Sequence, residues 1–121
     1  MTTITICTTC RRQAARDDRT LPPDGEAFLV RVTEAAAAHP GLQVRGTPCL
    51  MGCEHGCNAA VSAAGRMTYV LGRFEGTPED AAALADYAAL HAENDGGLVP
   101  FRQWPQGVKG HFVARVPPLD P

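Results

Sequence analysis

The sequence predicts an α/β fold: a small mixed sheet with helices packed on it, in the order β-α-β-β-β-α, then a C-terminal extension. Three observations predict it. Residues 3–7 alternate threonine and isoleucine with the period of a strand, and the alternation ends at Cys7. Two later segments carry apolar residues at helical spacing. Between these segments lie one further strand and a hairpin. A strand–helix–strand opening implies a right-handed crossover and a parallel pair, to which the hairpin adds antiparallel strands. Residues 1–97 form the domain in this reading, and residues 98–121 an extension packed on it.

The first strand delivers Cys7 at its C-terminal end, where α/β folds place their sites. Residues 11–23 are polar and closed by Pro22-Pro23, so they read as a loop. A helix follows over residues 24–39, with Asp24 as N-cap, Phe28, Leu29, Val32, Ala35 and Ala36 as its apolar stripe, and Pro40-Gly41 as its stop. Residues 42–46 read as a strand. Residues 58–62 and 67–71 read as a hairpin around a turn containing Gly65. Thr77-Pro78-Glu79-Asp80 starts the second helix: threonine caps it, proline takes the first helical position, and acids fill the first turn. Its stripe is Ala81, Leu84, Ala85, Ala88 and Leu90, and it ends near Asn94. This layout is that of the thioredoxin superfamily. In the extension, Leu98, Phe101, Trp104, Phe112 and Val116 are too apolar for a free tail. They predict packing on the domain of a monomer, or pairing in a homodimer.

A chain of 121 residues, 45% apolar and 20% charged, is an ordinary globular domain able to bury a core without staples. Net charge is −2, and no basic run or aromatic-basic interleaving points to nucleic acid. No apolar run reaches the length of a membrane span. Residues 1–7 carry neither the basic nor the apolar region of a signal peptide, which predicts a cytoplasmic protein.

The chemistry is concentrated in the cysteines. Cys7 and Cys10 form a C-x2-C pair; Cys49, Cys53 and Cys57 form a C-x3-C-x3-C array with a glycine before each of its last two members. An odd count in a reducing compartment reads as a metal or redox site rather than disulfides. Thiolates suit iron–sulfur clusters, zinc and copper(I). A cluster needs four thiolates in a pocket that hydrogen-bonds the sulfurs. Cys7, Cys10, Cys49 and Cys53 supply four, with Cys57 as the alternative ligand. Gly52 and Gly56 allow backbone N–H groups to approach sulfur, and Leu50 and Met51 are placed to shield the centre from water. The bacterial, plant-type and Rieske signatures are absent, and the spacing departs from a zinc ribbon. Two competing readings use the same residues. One is a zinc- or cobalt-binding metallochaperone or sensor; the other is a dithiol oxidoreductase acting through Cys7 and Cys10.

No Ser/His/Asp constellation, P-loop, Gly-rich dinucleotide loop or paired carboxylate stands out, so the reading is an electron carrier rather than an enzyme. His55 reads as an exposed loop residue, and His39, His91 and His111 as surface residues. Arg11, Arg12 and Arg16 either balance an anionic cluster or are solvated. Trp104 reads as a packing anchor.

The segment Cys49-Leu50-Met51-Gly52-Cys53-Glu54-His55-Gly56 resembles the C-L-G-x-C-x-x-G segment of the thioredoxin-like [2Fe–2S] ferredoxins, whose other two ligands follow the first strand. The chain as a whole is even more similar to a bacterial family of predicted metal-binding proteins of unassigned function, often encoded near cobalamin-biosynthesis genes. The segments that carry this likeness are Ile6-Cys7-Thr8-Thr9-Cys10-Arg11, the array from Cys49 to Cys57, Thr68-Tyr69-Val70-Leu71-Gly72, Gly97-Leu98-Val99-Pro100-Phe101-Arg102 and Ala114-Arg115-Val116-Pro117-Pro118. The resemblance implies a [2Fe–2S] cluster on Cys7, Cys10, Cys49 and Cys53, electron transport to a redox partner protein, and an association with cobalamin. The chain departs from the ferredoxins in two places. They put the second ligand much further from the first than Cys10 lies from Cys7, and they tend to carry proline where Cys57 stands. The choice of Cys10 or Cys57 as the remaining ligand therefore stays open.

Overall fold

In the computed structural model, which describes residues 2–51 and 56–119, the N-terminal strand β1 (Thr2–Cys7) lies inside a sheet. Among the described residues, five strands make that sheet in the order β2-β1-β3-β4-β5. β2 (Leu42–Thr47) runs parallel to β1. β3 (Cys57–Ser62), β4 (Thr68–Phe74) and β5 (Phe112–Val116) each run antiparallel to the strand before them in the sheet. A parallel pair beside an antiparallel hairpin is the thioredoxin-like arrangement that the sequence predicts.

The alternation in β1 explains its position. Ile4 pairs with Val44 on one side and Val61 on the other, and Ile6 with Gly46 and Ala59. Both isoleucines are fully buried with Phe28 and Val32 of helix α2 (Asp24–Ala36) and Leu84 and Tyr87 of helix α3 (Pro78–Glu93). Each such side chain contributes roughly 1.5–3 kcal/mol by leaving water. The two helices pack on each other and both touch β1. Thr5 is buried too, and Arg45 Nε donates to its hydroxyl at 2.8 Å.

The start of α3 is as predicted: Thr77 Oγ1 accepts from the Asp80 amide at 3.1 Å, with Pro78 in the first turn. The start of α2 differs. Pro23 is the N-cap, and the Asp24 carboxylate instead accepts from the Arg12 amide at 2.6 Å. The reason is an element that the reading of residues 11–23 as a loop omitted. A short helix, α1 (Gln13–Asp17), begins after Arg12, buries Ala15, and takes Asp24 as the acceptor for the amide of its N-cap residue, Arg12. Five residues are too few to show a helical period. α2 also ends three residues before the predicted His39.

His91 corrects the surface reading. It is fully buried on α3, 6.2 Å edge-on from the Tyr69 ring. Its Nε2 lies 2.7 Å from the Met67 carbonyl and its Nδ1 2.9 Å from the Thr2 hydroxyl. A carbonyl only accepts, so Nε2 carries the proton and Nδ1 accepts from Thr2. Gly97 closes over the ring in the left-handed region, at φ +73°, and a Cβ there would stand 2.5 Å from Nε2. Burial pushes the imidazole pKa below the ordinary 6.5; the bond to Met67 opposes the shift and Arg66 adds to it. The unfolded chain therefore takes up this proton at a higher pH than the folded one. Stability is fully present above 6.5 and is lost as pH falls from there toward the lower folded value. The urea midpoint is expected to drop between neutrality and about pH 5.5, and His91→Gln to flatten that slope on a less stable background. A wild-type slope retained in the variant would place the effect elsewhere.

Beyond α3, three short 3₁₀ turns, Asp95–Gly97, Phe101–Gln103 and Gln106–Val108, lead to β5. β5 is a strand that the reading of the tail did not separate from its surroundings. Trp104 does anchor this segment: its Nε1 donates to the Val99 carbonyl at 3.0 Å, and its ring lies 4.5 Å from that of Phe112. Among the described residues, no helix is long and apolar enough to cross a membrane.

Candidate thiolate centre

The parallel register of β1 and β2 brings the loop of Cys7 and Cys10 beside the start of the segment that carries Cys49. Cys7 pairs with Thr47, so both strands end at the same edge of the sheet. The loops that follow are tied to each other. The Thr8 amide donates to the Thr47 carbonyl at 2.8 Å, the Thr8 hydroxyl to the same carbonyl at 3.1 Å, and the Thr9 hydroxyl to the Pro48 carbonyl. The Cys7 sulfur lies 3.9 Å from that Pro48 oxygen, one residue from Cys49. β3 runs antiparallel to β1 and starts at Cys57, which returns to this same end.

Helix α2 fixes the loop from behind. The Gly25 amide donates to the Cys10 carbonyl at 3.0 Å. A Cβ on Gly25 would fall 1.9 Å from the Cys7 carbonyl oxygen, so only glycine allows the helix this close to the chain.

Cys7, Cys10 and Cys57 are buried and Cys49 is exposed; all four are free thiols. Cys53 lies outside the described residues, as do Gly52 and His55. Backbone amides converge on the sulfurs: Thr9 and Leu50 on Cys7, Met51 on Cys49 at 3.2 Å, and Asn58 on Cys10. The Asn58 side-chain amide adds a second donor to Cys10 Sγ at 3.2 Å. Cys7 and Cys10 are hydrogen-bonded to each other. Burial pushes the Cys7 thiol up, but bonds from Cys10, the Leu50 amide and Thr9 outweigh it and leave the thiol below its ordinary value. Burial and the bond to Cys7 push Cys10 up to about 11, against the two Asn58 donors. Burial, then the charges of Asp24 and Cys10, push Cys57 up to about 12, and Arg12 pulls the other way.

Two of the arginines have a role that the sequence reading did not give them. Arg11 donates to the Ala15 and Leu21 carbonyls, and Arg16 Nε to the Arg11 carbonyl at 2.9 Å, so both hold the α1 segment. Arg12 is the one whose charge reaches a cysteine. Met51 is 89% exposed and therefore gives the cysteines no cover; Leu50, half-buried, contributes its amide. Asn58 and Gly25 are the site residues that sequence reasoning missed. Asn58 carried a signal, as a polar residue between Cys57 and the apolar run Ala59-Ala60-Val61.

Among the described residues, no three His, Cys, Asp or Glu side chains are arranged to hold a metal ion. In kind, the donors suit a thiolate-bound group. Cys7 and Cys10 are adjacent, Cys49 stands on the loop tied to them, and N–H groups already point at all three sulfurs.

Comparison with protein-family models matches residues 4–118 to a family described as a protein of unknown function, DUF1636, and the chain belongs to that family. Comparison with curated proteins and with solved structures gives no match.

Proposed function

We propose that this protein holds one [2Fe–2S] cluster on Cys7, Cys10, Cys49 and Cys53 and carries single electrons to a redox partner protein. The observation that carries the reading is the convergence of backbone amides on Cys7, Cys10 and Cys49 at one sheet edge. N–H donors favour sulfur that bears negative charge, and they are among the levers that tune an iron–sulfur centre. When bound, the cluster supplies one-electron exchange. The chain's own contribution is to hold the thiolates, to screen Cys7 and Cys10 from water, and to leave the Cys49 side open to a partner. The same donors would serve zinc or cobalt, so the identity of the metal is the first thing to measure.

Protein purified without oxygen is expected to be red-brown, with iron and acid-labile sulfide in equal amounts. Reduction is expected to give a paramagnetic resonance signal of about one spin per cluster, as for a one-electron carrier. A colourless protein with stoichiometric zinc would establish the metallochaperone or sensor reading instead. The Cys7–Cys10 hydrogen bond favours one further reading, a dithiol oxidoreductase in which Cys7 attacks and Cys10 resolves. Metal-free protein that reduces a disulfide substrate, and loses that activity in Cys7→Ser, would support it over the cluster.

A further inference from the structure

We infer that the groove between β5 and the segment that precedes it is a binding site for a small organic anion with an apolar body. The groove encloses about 570 Å³, within the range of small-molecule sites. Its floor is aromatic, made by Tyr69, Trp104 and Phe112, and its walls include Leu98 and Val113. These two walls are 50% and 44% exposed, which is apolar surface left open to water. The floor rings pack on one another: the Phe112 ring centroid lies 4.5 Å from that of Trp104 and 5.7 Å from that of Tyr69, and the Trp104 N–H is already taken by Val99. The floor therefore offers faces for stacking.

Charge selects the occupant. Arg115 is the single charged residue lining the groove, and among the described residues it makes no ion pair. The C-terminal segment that supplies most of the lining is basic within an acidic protein. Residues 98–121 hold Arg102, Lys109 and Arg115 against Asp120, while the whole chain carries −2. An arginine at the rim of an apolar slot fits a carboxylate or sulfonate attached to a ring or short chain. Tyr69 pairs with Arg115, whereas Phe74 pairs with Cys57, so the groove lies away from the cysteine end of the sheet. It does not depend on the identity of the metal.

Trp104 is the only tryptophan, which makes the groove self-reporting. The probe is 1-anilinonaphthalene-8-sulfonate, titrated into the full-length protein as purified, with the uncharged N-phenyl-1-naphthylamine as its partner. Saturable quenching of Trp104 by the sulfonate is expected, at one site per chain. Arg115→Gln is expected to weaken the sulfonate about tenfold, by removing a charge-assisted contact, and to leave the uncharged probe unchanged. Val113→Glu is expected to weaken both, and a urea melt like that of the wild type shows that each variant is folded. Non-saturating quenching, or equal loss of both probes in Arg115→Gln, would overturn the proposal. So would a dimer in sedimentation that Val113→Glu dissociates, because a second copy would then occupy the groove.

Discussion

Gly25→Ala is expected to destabilise the protein by about 3 kcal/mol, the upper part of the range for overpacking, and to lower its bound metal sharply. The size of the effect follows from what the new methyl group would meet. Its position is 1.9 Å from the Cys7 carbonyl oxygen and 3.0 Å from two further backbone atoms, and real Cβ atoms essentially never come under 3.0 Å. A flexible side chain can turn aside, but a peptide group at the end of a central strand cannot. Either α2 moves off the sheet, uncovering Phe28 and Val32, or residues 7–10 move and the Gly25–Cys10 bond breaks. Both routes disturb the loop that carries two of the proposed ligands. Urea denaturation and metal analysis of the same preparation test this. A variant with wild-type midpoint and full metal would mean that α2 does not position the loop.

The parts of the fold that could be read in the sequence are those whose burial has a long, regular period. Ile4 and Ile6 face the core on alternate residues of β1, and Phe28 and Val32 repeat at one turn of α2. Thr77-Pro78 marked the start of α3 because a side-chain cap leaves a local signature. Asp24 carried the same kind of signature and misled, since its carboxylate serves a neighbouring helix across a turn. β5 is an edge strand of five residues with four of them exposed, so it presents no alternation to read. His91 is different: Leu84, Ala88 and His91 continue one helical stripe, so the position was legible and the residue type hid it. In the site, the Thr/Ile alternation placed Cys7 at a strand end, with Cys10 just beyond it. That the segment carrying Cys49 comes beside them follows from the Cys7–Thr47 register, and the roles of Asn58, Gly25 and the Leu50 amide come from contacts between distant segments that no local pattern encodes.

Cys10→Ser is expected to remove most of the bound iron, whereas Cys57→Ser keeps iron content and visible spectrum near those of the wild type. The two sulfurs are both buried but differently surrounded. Cys10 faces the Cys7 thiol and receives two N–H donors from Asn58, which would stabilise its sulfur once a metal had displaced the proton. Cys57 sits within the apolar core, fully buried, and a Cβ on Gly76 would stand an ordinary 3.7 Å from its sulfur. A thiol there behaves as a small hydrophobe, so serine at position 57 loses packing, on the order of 1–2 kcal/mol, and not metal. Loss of the metal has the larger consequence. The proposed ligands come from two loops separated by α1, α2 and β2, so the affinity of a bound metal would also be folding free energy. Cys10→Ser should therefore melt like the metal-stripped wild type, well below the holo-protein, and Cys57→Ser only slightly below it. Paired melts and iron assays on both variants decide the matter. The opposite pattern, iron lost with Cys57 and kept without Cys10, would make Cys7, Cys49, Cys53 and Cys57 the ligand set and leave Cys10 as a neighbouring thiol.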